Sequence, residues 1–368
     1  MLLTRRFWLG IVVSLAFLVL FLWRVDFGDT GRELQGAAYS YFVPAVLCYF
    51  LSLAVRSLRW RFLLLHLKPV SVPRLYPVVA IGYMANNMLP VRLGELVRAH
   101  FLGEREHLRK ASVFSTIAVE RVLDGLTLLL FVAVVWPFLP WTGVLRSDEG
   151  DLKTAWLVGS IAVAAVFVAA FLSVCLLASS PRLSGGLVRV VPALVPAAVR
   201  GRVEELLRLL LDGLGGLRSP GALLAIILLS GPVWLVEGVV YYIMALSFGL
   251  DQPFQVVLLV TATSNLATAI PSGIGGIGPF ELVAKSTLVA FGVGAEAAAA
   301  YAFSVHILAL WLPVNVLGLL FLWRENVSLA QVARTAPLER TAEPAAGPGV
   351  SAFSGPPGTA PAEERDDR

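Results

Sequence analysis

Apolar residues run along this chain in blocks of bilayer-crossing length, about 20 residues each. Phe7–Trp23, Tyr39–Val55, Ala111–Leu139, Ala155–Ala178, Ala222–Phe248 and Ala297–Trp323 are nearly continuous. Two further runs, Leu75–Leu102 and Phe254–Phe291, are interrupted at their centres by Gly, Pro and polar residues. The first run follows Thr4-Arg5-Arg6, is too long for a signal peptide and carries no small-residue cleavage site. The pattern predicts an all-α fold, a polytopic helical integral membrane protein with a membrane domain over residues 1–324. Within it, Val199–Leu217 is amphipathic, and two readings of the 182–218 connector stay open. It lies on the cytoplasmic membrane surface, or it is a solvated helix packed on the bundle. Residues 325–368 hold 7 acidic and 4 basic residues without apolar periodicity and are expected to form a disordered tail.

Composition removes the soluble alternative. Apolar residues make up 57% and charged residues 15%, with mean hydropathy +0.79. A soluble domain carries about 25% charged residues, and this chain has too few to build a wet surface. The two cysteines, Cys48 and Cys175, sit in apolar runs and are expected as buried thiols, not a disulfide framework. The net charge of +4 lies in the loops between spans, so it is no nucleic-acid footprint.

The distribution of that charge sets orientation. With the N-terminus inside, segments 1–6, 56–74, 98–110 and 179–220 hold 17 Lys and Arg. The opposite segments 24–38, 140–154, 249–254 and 292–296 hold 4. Both flanks of 75–102 then lie on the basic side and both flanks of 254–291 on the other. Each interrupted segment therefore reads as a re-entrant hairpin, giving about six full spans plus two broken-helix hairpins. The hairpins would enter from opposite faces and meet near the midplane, an inverted pseudo-symmetry. Eight ordinary spans with polar loops is the alternative.

Charges inside membrane segments are costly and mark candidate sites. The first cluster is Asn86-Asn87-Met88-Leu89-Pro90-Val91-Arg92-Leu93-Gly94-Glu95-Leu96-Val97-Arg98. Pro90 suits a helix start near Val91, which would aim unpaired N–H groups and Arg92 at a phosphate. Arg92, Glu95 and Arg98 recur every third residue, so a structural ion network is the competing reading. The second cluster is Glu120-Arg121-Val122-Leu123-Asp124. Glu120 and Asp124 share a helix face at i,i+4, so either a cation faces them, with Arg92 or Arg98 as candidates, or one of them is protonated. Counter-ions, a proton relay and a cytoplasm-exposed helix end all fit this pair. The third runs from Asn265 to Lys285, with Pro279 opening a new helix and Glu281 in its first turn. A Glu281–Lys285 pair within the helix and a second half-helix mouth both fit. Glu237 and His306 are isolated polar residues in apolar runs. The scattered His and Cys form no metal motif, and the Gly-rich stretch lacks the residues of a nucleotide loop, so neither cofactor nor metal is expected.

The segments NNMLPVRLGELVRA (86–99), ERVLDGL (120–126) and PSGIGGIGPFE (271–281) resemble the transmembrane region of lysylphosphatidylglycerol synthases, a flippase-like membrane family. The likeness spans about residues 5–324. It implies a lipid-handling membrane protein standing without the soluble synthase domain. The resemblance carries over Asn87, Pro90, Arg92, Gly94, Glu95 and Arg98, then Glu120, Arg121 and Asp124, then Pro271, Gly273, Gly275, Gly276 and Glu281. Substrate contacts are expected from Asn87, Arg92, Glu95, Arg98, Glu120, Arg121, Asp124, Glu281 and Lys285. Hinges are expected at Pro90, Gly94, Pro271, Gly273, Gly275, Gly276 and Pro279. The expected activity is movement of an anionic phospholipid or a polyprenyl-phosphate-linked lipid across a bacterial inner membrane, both termini being cytoplasmic. A membrane transferase, and a non-catalytic partner of a separate synthase or glycosyltransferase, are the alternatives.

Overall fold

The computed structural model describes residues 5–23, 25–89, 93–139, 165, 169, 173, 176–177, 180–270 and 275–325. The expected Ala155–Ala178 span, the tail beyond 325 and the residues Pro90, Arg92, Pro271 and Gly273 lie wholly or mostly outside them. The described residues form helices and turns without a strand. In chain order they are α1 (Arg5–Leu22), α2 (Phe27–Gly36), α3 (Phe42–Leu64), α4 (Val72–Met88), α5 (Gly94–Glu106) and α6 (Lys110–Val135). The second half holds α7 (Pro181–Ala193), α8 (Ala197–Gly213), α9 (Pro220–Ser247), α10 (Phe254–Ala267) and α11 (Pro279–Ala290). The last helix, α12 (Ala295–Arg324), is π-helical over Ser304–Trp311.

Among the described residues, three helices are long and apolar enough to cross a bilayer: α3 with the turn before it, α9 and α12. Ile11–Leu22 of α1 and α2 meet the same measure only when taken together across an 83° bend, as a broken span or a re-entrant loop. The bend follows from Asp26, whose carboxylate accepts the Gly28 and Asp29 amides and so starts a new helix. Helix α6 is long too, but its middle turn carries Glu120, Arg121 and Asp124. It owes its place to the partners that bury those charges.

The organising pair is α3 against α9. Ala38 just before α3 donates to the Ser247 carbonyl at the end of α9, while Arg59 reaches Ser230 towards its start. The two helices are therefore antiparallel. Each interrupted segment leaves from one of them and folds back on itself. In the first hairpin, α4 and α5, Asn86 Oδ1 accepts the Gly94 amide at 2.7 Å, and Gly82 faces Gly94 and Arg98. In the second, α10 and α11, Thr263 faces Thr287 and the Gln252 amide reaches the Phe291 carbonyl. The first hairpin departs from the Leu64 end of α3 and the second from the Ser247 end of α9. Those ends are opposite in an antiparallel pair, so the hairpins point towards each other. Their tips meet where Gly275 faces the Asn87 carbonyl and Trp311.

Glycine is required at both tips. A side chain on Gly94 would overlap the Gly82 carbonyl and Asn86. Gly275, Gly276 and Gly278 have φ of 60°, 80° and 101°, a region that L side chains rarely occupy. Helix α5 starts at Gly94, three residues after the start expected at Val91. Helix α11 starts at Pro279, as the sequence predicts. The connector packs α8 on α6, with Gly213 against the Ser115 carbonyl and Gly216 against Leu63. Cys48 is free and half-buried, more exposed than expected.

Candidate functional site

Helix α6 turns Glu120, Arg121 and Asp124 into the bundle, where α3, α5 and α9 supply their partners. Arg98 on α5 donates to both oxygens of Glu120, at 3.2 and 3.0 Å. Arg59 on α3 donates to Asp124 at 2.6 Å and stands 3.8 Å from Glu120. Arg56, one turn earlier on the same helix face, donates to Glu237 of α9 at 2.5 Å. Arg121 bridges both carboxylates of its own helix, at 2.6 Å from Glu120 and 3.0 Å from Asp124. Trp234 of α9 adds an indole hydrogen bond to Asp124 at 3.2 Å. Aromatic faces support the arginines: Trp60 lies 4.1 Å from the Arg98 guanidinium carbon and Trp234 4.4 Å from that of Arg56. Buried charges persist when each has opposite charge and hydrogen bonds, and removing one partner strands the others.

One side of this network opens onto a cavity of about 580 Å³. Arg56, Arg121, Asp124 and Glu237 border it from the bundle, and Asn86, Asn87 and Glu95 from the first hairpin. Asn265, Gly275, Gly276, His306 and Trp311 close the other side. The cavity thus lies between the two hairpin tips. Asn86 Nδ2 donates to Glu95 at 3.1 Å, and Asn87 Nδ2 to Asn315 of α12 at 3.3 Å. On the second tip, Glu281 accepts the Gly278 amide at 2.7 Å, capping α11. His306 lies on the π-helical turn, stacked 4.1 Å from Phe280. Its Nδ1 is 2.6 Å from Glu281 Oε1 and its Nε2 3.2 Å from the Gly275 carbonyl. Among the described residues, no three His, Cys, Asp or Glu side chains are placed to hold a metal ion.

The cavity gathers Asn87, Glu95, Arg121, Asp124, Gly275 and Gly276 from the residues that the sequence singles out. Arg98 and Glu120 stand behind the wall as a buried pair. Glu281 reaches the cavity only through His306. Lys285 is a correction: it pairs neither with Glu281 nor with the cavity, but donates to the Phe21 carbonyl at 2.9 Å. The reason is that the His306 imidazole and the Gly278 amide already occupy both oxygens of Glu281. Of the Arg92–Glu95–Arg98 spacing, Glu95 turns to Asn86 and Arg98 to Glu120, while Arg92 lies outside the described residues. The larger correction concerns Arg56 and Arg59. The sequence places them in a cytoplasmic flank, yet they are 2% and 0% exposed. Helix α3 simply continues to Leu64 and buries them. Their three-residue spacing amid Leu53, Trp60 and Leu63 was the available signal.

Residues 7–316 match the family described as the lysylphosphatidylglycerol synthase TM region. Glycosyltransferase AglD of Haloferax volcanii is 28% identical over 74% of this chain, which spans only about half of that relative, 47% of its length. A UPF0104 membrane protein of Methanothermobacter thermautotrophicus is 27% identical over 83% of this chain and 91% of its own. The UPF0104 membrane protein PH1989 of Pyrococcus horikoshii is 24% identical over 86% of this chain and 96% of its own. No solved structure matches the chain. The family match takes in both hairpins and all four helices of the ion network, and on that match the chain is a multi-pass membrane protein of the lysylphosphatidylglycerol synthase TM region family.

Proposed function

We propose that this protein moves an anionic lipid across its membrane, with the headgroup carried in the cavity between the hairpin tips. The observation that carries the reading is the position of Arg56 and Arg121 on that cavity, between hairpins departing from opposite ends of the α3–α9 pair. Arginine suits phosphate because its forked donors match phosphate oxygens. Asp124, Glu237 and Glu120 hold the arginines in register. The lipid is a phospholipid or a polyprenyl-phosphate-linked carrier, the membrane a bacterial inner membrane, and both termini are cytoplasmic. Transport runs downhill or is driven by an ion gradient. A separate synthase or glycosyltransferase supplies or consumes the lipid.

The test is reconstitution in liposomes carrying a fluorescent anionic phospholipid, with dithionite quenching to follow transfer between leaflets. Wild type accelerates transfer over protein-free liposomes. Arg121→Gln slows it by about tenfold or more, the effect of removing one partner of a buried charge pair. Transfer no faster than in protein-free liposomes, or an unaffected Arg121→Gln, overturns the reading. A membrane transferase remains the second reading, favoured by one relative's name, glycosyltransferase, over the shared portion. Product formed by the purified protein from a lipid phosphate and a sugar or aminoacyl donor would establish it.

A further inference from the structure

We infer that His306 and Glu281 form a proton-binding site at the tip of the second hairpin, and that this site loads its proton together with the anionic headgroup. The inference rests on the lipid-transport reading for the headgroup, and it makes that transport proton-coupled.

The proton site follows from the hydrogen bonds. His306 is 6% exposed, borders the cavity and lies on the π-helical turn of α12, a distortion that recurs at functional sites. Both of its ring nitrogens face oxygen: Nδ1 stands 2.6 Å from Glu281 Oε1, and Nε2 3.2 Å from the Gly275 carbonyl. A carbonyl can only accept, and a neutral imidazole has one N–H. Beside an ionised Glu281, a neutral His306 would therefore have one donor for two acceptors. Both contacts are hydrogen bonds only when the pair holds one proton more. That proton makes either an imidazolium beside a carboxylate, or an Nε2–H imidazole beside a carboxylic acid. The proton count is the same in both, so the geometry is that of the loaded pair. When the proton leaves, the charge-assisted bond to Glu281 keeps the remaining N–H. The Nε2 lone pair then faces the Gly275 carbonyl, and this tie between the hairpin tip and α12 must open.

The emptied pair is steadied as an anion, because Glu281 also accepts the Gly278 amide at the positive end of α11. Among the described residues, no other ionisable side chain is hydrogen-bonded to His306. From the helices packed on its turn, α3 brings Tyr49 and Arg56, and α9 brings Glu237 and Tyr241. Arg56 and Glu237 hold each other, and the Tyr241 hydroxyl accepts from Asn265. On α12 itself Tyr301 donates to the Tyr241 carbonyl, and on α11 Lys285 turns to the Phe21 carbonyl. Tyr83, Glu95, Arg121 and Asp124 border the cavity from the first hairpin and α6. The loaded pair is neutral and the emptied pair carries one negative charge, whatever the rest of the lining carries. An anionic headgroup in the same space is therefore held more tightly by the loaded pair. By reciprocity the headgroup raises the affinity for the proton. The two move together, and a proton gradient draws the lipid in its own direction.

The test has two measurements on the detergent-purified full chain. The first is nitrogen NMR with isotope-labelled histidine. Of the four histidines, His306 is the one whose signals vanish in His306→Gln. Its signals should report the loss of one proton between about pH 5 and 9, the range in which histidine pairs exchange protons. A wild-type His306 unchanged across that range overturns the proton site. The second is calorimetric titration at the two ends of the range with dioctanoyl phosphatidylglycerol, then with a short polyprenyl-phosphoglucose. Both are phosphodiesters whose own charge stays constant, and the one that binds identifies the source. Its affinity should fall by about fivefold or more from the acid to the alkaline end, the span of an ordinary coupling. In Glu281→Gln the carboxamide still accepts the Gly278 amide and can donate to Nδ1, reproducing the loaded pair without an exchangeable proton. Binding should then stay tight at both ends, whereas a merely structural Glu281 would lower affinity and leave the pH dependence in place. Equal wild-type affinity at both ends, or the wild-type pH dependence retained in Glu281→Gln, overturns the coupling. The two readings fail separately. Proton-linked binding without transfer in liposomes defeats only the transport reading, and transfer with pH-independent binding defeats only this inference. If neither lipid binds, the lipid reading and the coupling fall together, while the proton site is decided by the NMR titration alone.

Discussion

Arg59 has no exposed surface, and its ionic partners, Glu120 and Asp124, both come from α6. Arg59→Met removes a cation from between two buried carboxylates and is expected to destabilise the protein by about 3–5 kcal/mol. Arg61→Met, two residues on at an exposed position, changes stability by no more than about 0.5 kcal/mol. Thermal unfolding in detergent separates the two. The same contrast explains what the sequence concealed. Arg56, Arg59, Arg61, Lys68 and Arg74 read as one basic run, and such runs normally flank spans on the cytoplasmic side. Periodicity within the run was the finer signal, since Arg56 and Arg59 share a face with Leu53, Trp60 and Leu63 whereas Arg61 does not. By contrast, the repulsion of Glu120 and Asp124 at i,i+4 was legible, and Arg98 answers it for Glu120 while Arg59 answers it for Asp124. Glu281 shows the limit of local reasoning. Its spacing to Lys285 is ideal for a helical pair, but a histidine brought in by the chain 25 residues later wins the carboxylate.

At the scale of elements, the hairpins depend on close backbone approach. Gly94→Ala would press a methyl group into the Gly82 carbonyl and the Asn86 side chain. The α4–α5 contact must open, so the expected result is a fall of about 1–3 kcal/mol in stability, the usual cost of overpacking. Gly201→Ala on α8 meets open space and is expected to gain about 0.5–1 kcal/mol from helix propensity. Unfolding midpoints of the two variants in one detergent check both signs. The breaks themselves were legible, because Asn, Pro and Gly crowd together in the middle of two apolar runs, and irregular backbone at membrane depth persists only where protein or a water-filled cavity covers it. Where each half-helix begins was less so. Pro279 starts α11 as its missing N–H dictates. On the other hairpin, α5 starts only at Gly94, where the Asn86 carboxamide can accept the first amide.

For the whole molecule, the opposed hairpins require that their open ends face opposite compartments. In a Cys48→Ser, Cys175→Ser background, Arg109→Cys at the base of the first hairpin and Asp251→Cys at the base of the second test this. Both positions are exposed. A membrane-impermeant maleimide added to intact cells should label Asp251→Cys and not Arg109→Cys, and labelling of both from one side would refute the inverted arrangement. The ion network has a further consequence for how the chain is made. Arg59 precedes its partner Asp124 by 65 residues, and Arg56 precedes Glu237 by 181. At a synthesis rate of about 5–20 residues per second, Arg56 waits roughly 10–40 seconds for its carboxylate. Until Asp124 is made α3 carries two unmatched cations, and Arg56 still lacks its Glu237 partner until α9 follows, so α3 cannot rest stably in lipid. It must linger beside the insertion machinery or at the headgroup layer until α6 and α9 arrive. The bundle is then completed from its C-terminal half inward, and nascent chains cut short before α9 are the ones that quality-control proteases should find first.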